Sequence, residues 1–145
     1  MDDVLVQDHQ TVVTAADRRR LRQMIDSLRG SLPTSGGPHR GYLRALEERL
    51  REIATVAEQE VGDDVVTMNS TVRICDDGRC QDVTLVYEPE ADPFGEKVSV
   101  LTPLGTALLG SRVGDVVEWE TRRGPRRQRI DRIVFQPEAA GKFHL

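Results

Sequence analysis

The chain is short of aromatic residues, cysteines and long apolar runs, and each shortage closes off a class of function. Aromatic residues make up 4% of its 145 residues, so the core has to be built from Val, Leu and Ile. No segment approaches the ~20 consecutive apolar residues that cross a bilayer. The first residues are Met-Asp-Asp, where a signal peptide would need a basic start followed by an apolar stretch. No membrane is expected as a partner, and a cytoplasmic location is. The three histidines are scattered at His9, His39 and His144, and neither an H-E-x-x-H run nor a Ser/His/Asp grouping accompanies them. Gly36-Gly37 lacks the Lys-Ser/Thr that completes a phosphate loop, so it reads as a turn. No metal, cofactor or catalytic residue is expected.

A general excess of positive charge is also missing. The formal charge is -4, and residues 17–60 are the only basic segment, with nine basic side chains against seven acidic. Duplex nucleic acid is bound through many phosphate contacts on one basic face. Only Arg122, Arg123, Arg126, Arg127, Arg129 and Arg132 cluster in that way, and Glu118, Glu120 and Asp131 dilute them. They read as a charged hairpin edge that resists aggregation, and strong sequence-specific DNA binding is not expected.

What the chain does contain is two helical stripes followed by a change of period. Thr11-Val12-Val13 reads as a short extended piece. Thr14 then caps a helix, with Asp17 three residues on, and Leu21, Ile25, Leu28 and Leu32 lie on one face. The run Gly30-Ser-Leu-Pro-Thr-Ser-Gly-Gly-Pro38 reverses the chain. A second helix is expected over about His39–Glu60, its Leu43, Leu46, Leu50, Ile53 and Ala57 alternating spacings of three and four as in a helix that packs along a partner. At about 33 Å it is too long for the rest of the chain to cover, so part of the antiparallel pair should project.

From Val65 the period becomes two. Val66, Met68, Ser70, Val72 and Ile74 read as a strand, Asp77-Gly78 as a tight turn, and Val83, Leu85 and Tyr87 as the returning strand. That register sets Asp76 opposite Arg79 and Cys75 opposite Cys80, close enough for a disulfide. A reducing interior favours two free thiols; a redox-sensitive clip between Cys75 and Cys80 is the alternative. Further strands are expected over Lys97–Leu101, Val116–Glu120 and Arg126–Phe135. Between them lies the uncharged stretch Pro103-Leu-Gly-Thr-Ala-Leu-Leu-Gly-Ser111. Pro103 suits the first turn of a short helix capped by Thr102, and Gly110 can end it. The fold class is α+β, with residues 1–62 as a helical hairpin arm and residues 63–145 as a sheet domain with one short helix.

Ser99-Val-Leu-Thr-Pro-Leu-Gly-Thr-Ala-Leu-Leu-Gly110, followed by Val113-Gly114-Asp115, resembles the hallmark of the C-terminal domain of the Gre transcript-cleavage factors. Val65-Val-Thr-Met-Asn-Ser-Thr-Val72, Thr84-Leu-Val-Tyr87 and Gln136-Pro-Glu-Ala-Ala-Gly141 are similar to the Rnk branch, the regulators of nucleoside diphosphate kinase. The resemblance implies an FKBP-like C-terminal domain, a short coiled-coil arm and docking on bacterial RNA polymerase near its secondary channel. The contact residues would be Thr102, Pro103, Leu104 and Gly105, with Gly114 and Asp115 beside them and Leu108 and Leu109 facing inward. The branch name implies at most an indirect link to nucleoside diphosphate kinase.

In Gre factors, acids at the arm tip hold a magnesium ion for transcript cleavage. Here no Asp or Glu stands between Asp26 and Glu47, and the presumed tip carries Arg29, Pro33, His39, Arg40 and Arg44. A hard cation needs carboxylate oxygens, so the expected function is that of a noncatalytic regulator rather than an enzyme. It would hinder nucleotide access or compete with cleavage factors. The alternative is a true cleavage-stimulating factor of the Gre type. Prolyl isomerase activity rests on fold analogy alone.

Overall fold

Thr14 sets the start of the first helix. Its hydroxyl accepts from the Asp17 amide at 3.1 Å, the N-cap bond that satisfies an otherwise orphaned donor. In the computed structural model, which describes residues 11–31, 38–92 and 96–142, strand β1 (Val12–Thr14) leads into helix α1 (Ala15–Ser31), and helix α2 (Pro38–Glu52) follows. Leu21 and Ile25 of α1 and Leu43, Leu46 and Leu50 of α2 are buried, and Met24 and Leu28 pack against the same cluster.

The second helix ends eight residues before the expected Glu60. Ala54–Val56 instead forms β2, which runs parallel to β1 with Val12 beside Ala54, Val13 beside Thr55 and Thr14 beside Val56. The reason is a side chain on the other helix. Arg18 donates to the Leu50 carbonyl at 2.9 Å, the Ile53 carbonyl at 2.8 Å and the Thr55 hydroxyl at 2.7 Å. A cation at the carbonyl end satisfies groups that another helical turn would have used. With 15 residues, α2 is about 22 Å long, shorter than expected. Only about one turn of each helix lies beyond Leu28 and Leu43 among the described residues.

The second region is a five-stranded sheet in the order β5-β4-β3-β7-β6. Its strands are β3 (Thr71–Asp76), β4 (Arg79–Val86), β5 (Lys97–Ser99), β6 (Val116–Thr121) and β7 (Gly124–Phe135). β5 joins β4 in parallel, and the other pairs are antiparallel. β3 starts later than its alternating pattern suggests, because Asn69 takes a positive φ of 68° and breaks the extended run before Thr71. Two register shifts between β3 and β7 bend the long strand, as bulges do, and the sheet curls. Asp77 and Gly78 have φ values of 48° and 79°, the double left-handed pair of a type I′ hairpin.

Helix α3 (Pro103–Leu108) lies against the inward face of the curl. Leu108 and Leu109 are buried with Val72, Ile74, Leu85, Val117 and Ile130 in the cluster that also takes in the arm helices. The chain has one shared core from Val13 to Ile130.

Candidate functional site

Helix α3 is short, and its position is set by bonds at both ends. At its start the Thr102 hydroxyl accepts from the Gly105 amide at 3.1 Å and donates to the Ser99 carbonyl at 2.7 Å. Thr106 ties the first turn back to the Val100 carbonyl at 2.7 Å. Gly105 is the tightest point, since a Cβ there would stand 2.0 Å from the Ser99 oxygen. At the other end Arg49 reaches across from α2 and donates to the Leu109 carbonyl at 2.7 Å and the Ser111 hydroxyl at 3.2 Å. Burial lowers the Arg49 pKa from its ordinary value, with the carboxylates of Glu52 and Asp115 acting in the opposite direction.

These bonds sort the residues picked out from the sequence. Thr102 and Gly105 shape the helix start, and Gly105 is itself buried. Pro103 is exposed and Leu104 half-buried. Gly114, at φ 94°, and Asp115 form the turn before β6, where the Asp115 carboxylate accepts from the Arg112 amide at 2.9 Å. Gly114 donates to the Ile130 carbonyl at 2.8 Å. Both belong to the turn that anchors β6 on β7.

Pro103 opens onto a groove of about 490 Å³ between α2, α3 and β6. Tyr42, Leu101, Ala107 and Trp119 give it an apolar lining, and Glu48, Glu52, Glu118 and Glu120 bring carboxylates to it. Tyr42 is 40% exposed, a large ring held open to solvent. The sequence reading overlooked this wall, though it was readable: Tyr42, Ala45, Arg49 and Glu52 recur at spacings of three, four and three beside the buried leucine stripe. Trp119 carried no comparable signal, since the groove exists only once β6 and α2 are brought to the two sides of α3.

At the arm, Arg29 is ion-paired with Glu47, which Arg22 also approaches at 3.8 Å. Arg44 is exposed. His39 and Arg40 fall in the first turn of α2, and Pro33 lies outside the described residues. Cys75 and Cys80 are joined as a disulfide on paired positions of β3 and β4, with Cα atoms 4.1 Å apart. The expected register therefore holds, and the structure has the linked form rather than two thiols.

A buried acid connects the arm to the sheet region. Asp17, 1% exposed, accepts from the Met68 amide at 3.0 Å. Burial raises its pKa to about 7, opposed by the Met68 bond and reinforced by the nearby Glu138 charge. Burial also pushes the Tyr87 hydroxyl above its ordinary range, with Asp17 adding to the effect.

Comparison with known proteins agrees with this architecture. Residues 60–134 match the family described as Transcription elongation factor, GreA/GreB, C-term. The Regulator of nucleoside diphosphate kinase of Escherichia coli (strain K12) is 38% identical over 104 residues, covering 70% of this chain and 76% of that protein. The Transcription elongation factor GreA of Thermoanaerobacter pseudethanolicus is 37% identical over 86 residues, 58% of this chain, which spans only 55% of that protein. Among solved structures, the prokaryotic transcription elongation factor GreA/GreB from Nitrosomonas europaea is 34% identical with a TM-score of 0.68, over 87% of this chain and 98% of that one. On the matched domain, the coverage of relatives and the shared fold, the chain belongs to the GreA/GreB C-terminal family of transcription elongation factors.

Proposed function

We propose that this protein is a noncatalytic regulator that docks on bacterial RNA polymerase beside its secondary channel and hinders nucleotide access or competes with Gre-type cleavage factors. One observation carries the noncatalytic part. From Ser27 to Leu46, across the whole turn of the helical hairpin, the chain has no Asp or Glu, so the tip offers a hard divalent cation no carboxylate ligand. Family membership supports a role in transcription and the cytoplasmic location that role requires.

In this reading the two regions divide the work. Residues 63–145, read as the FKBP-like domain, dock through Pro103 and the groove beside it, where apolar surface and a ring of carboxylates suit an amphipathic basic segment. Residues 1–62 form the short coiled-coil arm, and Arg40 and Arg44 favour its approach to a channel lined by acidic groups. Any effect on nucleoside diphosphate kinase is indirect, through transcription.

The test uses the full chain with purified bacterial RNA polymerase. The protein should co-precipitate with the polymerase, lower transcript yield and release no short RNA from a backtracked complex. Clear stimulation of transcript shortening would overturn the noncatalytic reading. Failure to co-precipitate, with the fold intact by circular dichroism, would overturn the polymerase reading.

A further inference from the structure

Strand β4 is longer than the strand that covers it. It runs for eight residues, but β5 pairs only with Thr84, Leu85 and Val86. Among the described residues, Arg79–Val83 therefore has a strand on one side only, β3. The register shows which backbone groups are left over. Cys75 and Cys80 face one another at a Cα separation of 4.1 Å, the spacing of a non-hydrogen-bonded antiparallel pair. Cys80 and Asp82 therefore point their N–H and C=O groups away from β3. Thr84, two residues on, follows the same parity and donates to the Glu96 carbonyl at 2.8 Å. Such an edge is a template for a further strand.

The open edge borders a recess. Cys80, Asp82, Leu104 and Trp119 line a cavity of about 720 Å³, which shares Cys80, Gln81 and Arg126 with a neighbouring cavity of about 510 Å³. Gln128 lines the second cavity, is 4% exposed, and has a buried Oε1 with no hydrogen-bond partner. Gln128 and Gln81 share a face: Gln81 pairs with Ile74, Ile74 pairs with Ile130, and Gln128 is two residues from Ile130. Past the two isoleucines, the inward face changes from aliphatic to amide and charged groups without changing sides. A buried acceptor left without a donor costs stability.

Charge gives the recess a direction. Asp82 is paired with Arg73 at 2.9 Å and Arg126 with Asp76 at 3.5 Å. Arg79 at the hairpin end and Glu96 at the β5 end have no ion pair among the described residues. We propose that the open edge of β4 binds an extended peptide segment of about five residues, antiparallel to β4. Its C-terminal end is acidic against Arg79, its N-terminal end is basic against Glu96, and a central hydroxyl-bearing side chain lies beside Gln81. A second copy of this chain fits less well, since antiparallel pairing of two β4 edges about Gln81 sets Arg79 opposite Val83 and leaves both arginines unmatched.

The test is an NMR titration of the full, isotope-labelled chain with the acetylated, amidated pentapeptide Lys-Val-Thr-Val-Glu. The Cys80 and Asp82 amides and the Gln81 side-chain amide should shift together. The peptide with its Lys and Glu exchanged should bind about tenfold more weakly, each exposed charge pair being worth up to ~1 kcal/mol, and the substitution R79E should reverse the preference at that end. A peptide N-methylated at both valines should not bind. The proposal is overturned if millimolar peptide leaves Cys80 and Asp82 unmoved or if the N-methylated peptide binds equally. It is also overturned if those amides shift with protein concentration alone, which would assign the edge to a second copy.

Discussion

Arg49 of α2 holds the carbonyl of Leu109, 60 residues further along the chain, at 2.7 Å. One guanidinium thus fixes the end of α3 relative to the arm and forms part of the groove wall.

Replacing Arg49 should loosen that joint. Arg49→Met leaves the carbonyls at the end of α3 without a donor, and a loss of about 2–3 kcal/mol is expected. Arg49→Lys keeps the charge but cannot reach several acceptors at once, so it should recover less than half of the loss. Urea unfolding followed by the fluorescence of Trp119, the only tryptophan, would measure both. Equal stability of the Lys variant and the parent would mean that charge alone matters at this joint.

Two glycines should answer the same substitution with opposite signs. Gly105→Ala drives a methyl group to 2.0 Å from the Ser99 oxygen, and the start of α3 has to move, at a cost of at least ~2 kcal/mol. Gly41, inside α2, has nothing within 4 Å of a Cβ. Gly41→Ala should therefore stabilise by up to ~1 kcal/mol through helix propensity. Thermal melts of the two variants give the comparison, and a stable Gly105→Ala protein would contradict the close approach.

Stability should fall as pH rises from about 4 to about 7 because of Asp17. Its folded pKa of about 7 lies above the ordinary 3.8, so the folded state holds the proton more tightly than the unfolded chain. The contribution is fully present below about pH 4 and is lost as pH rises through 7, a difference on the order of 4 kcal/mol. Asp17→Asn keeps an acceptor for the Met68 amide and removes the titration. The gap between the two proteins should therefore widen between pH 4.5 and 8, and parallel stability curves would rule Asp17 out as the source.

Reduction of the Cys75–Cys80 bond should be detectable but mild. So short a loop restrains the unfolded chain by no more than about 2 kcal/mol. Thiol titration of the unfolded protein should find no free thiol before treatment with a dithiol reductant and both cysteines after it, with a lower melting temperature. Two free thiols in protein purified under air would contradict the linked form.

Local chemistry was readable in the sequence, and distant partners were not. Thr14 with Asp17, Asp77 with Gly78 and Thr102 with Pro103 each act within four residues, so their residue types alone located two helix starts and a hairpin register. The end of α2 was misplaced because Arg18, more than thirty residues earlier, takes its last carbonyls and β1 recruits the next residues. β3 was read too long because Asn69 looks like an ordinary polar residue in an alternating run until its φ is known. The groove was missed because its two aromatic residues come from segments far apart in the sequence that meet only after folding.

The parallel ladder between β1 and β2 fastens both feet of the helical hairpin at one place, with Val13 beside Thr55 at its centre. How far the arm extends is therefore decoupled from what holds it. Inserting seven residues in each helix at the turn would add two turns, about 10 Å of length, while the ladder and the shared core below remained unchanged. Reach is a dial that insertions and deletions at the tip can turn, and the same base could carry a blunt plug in one chain and a deep probe in another.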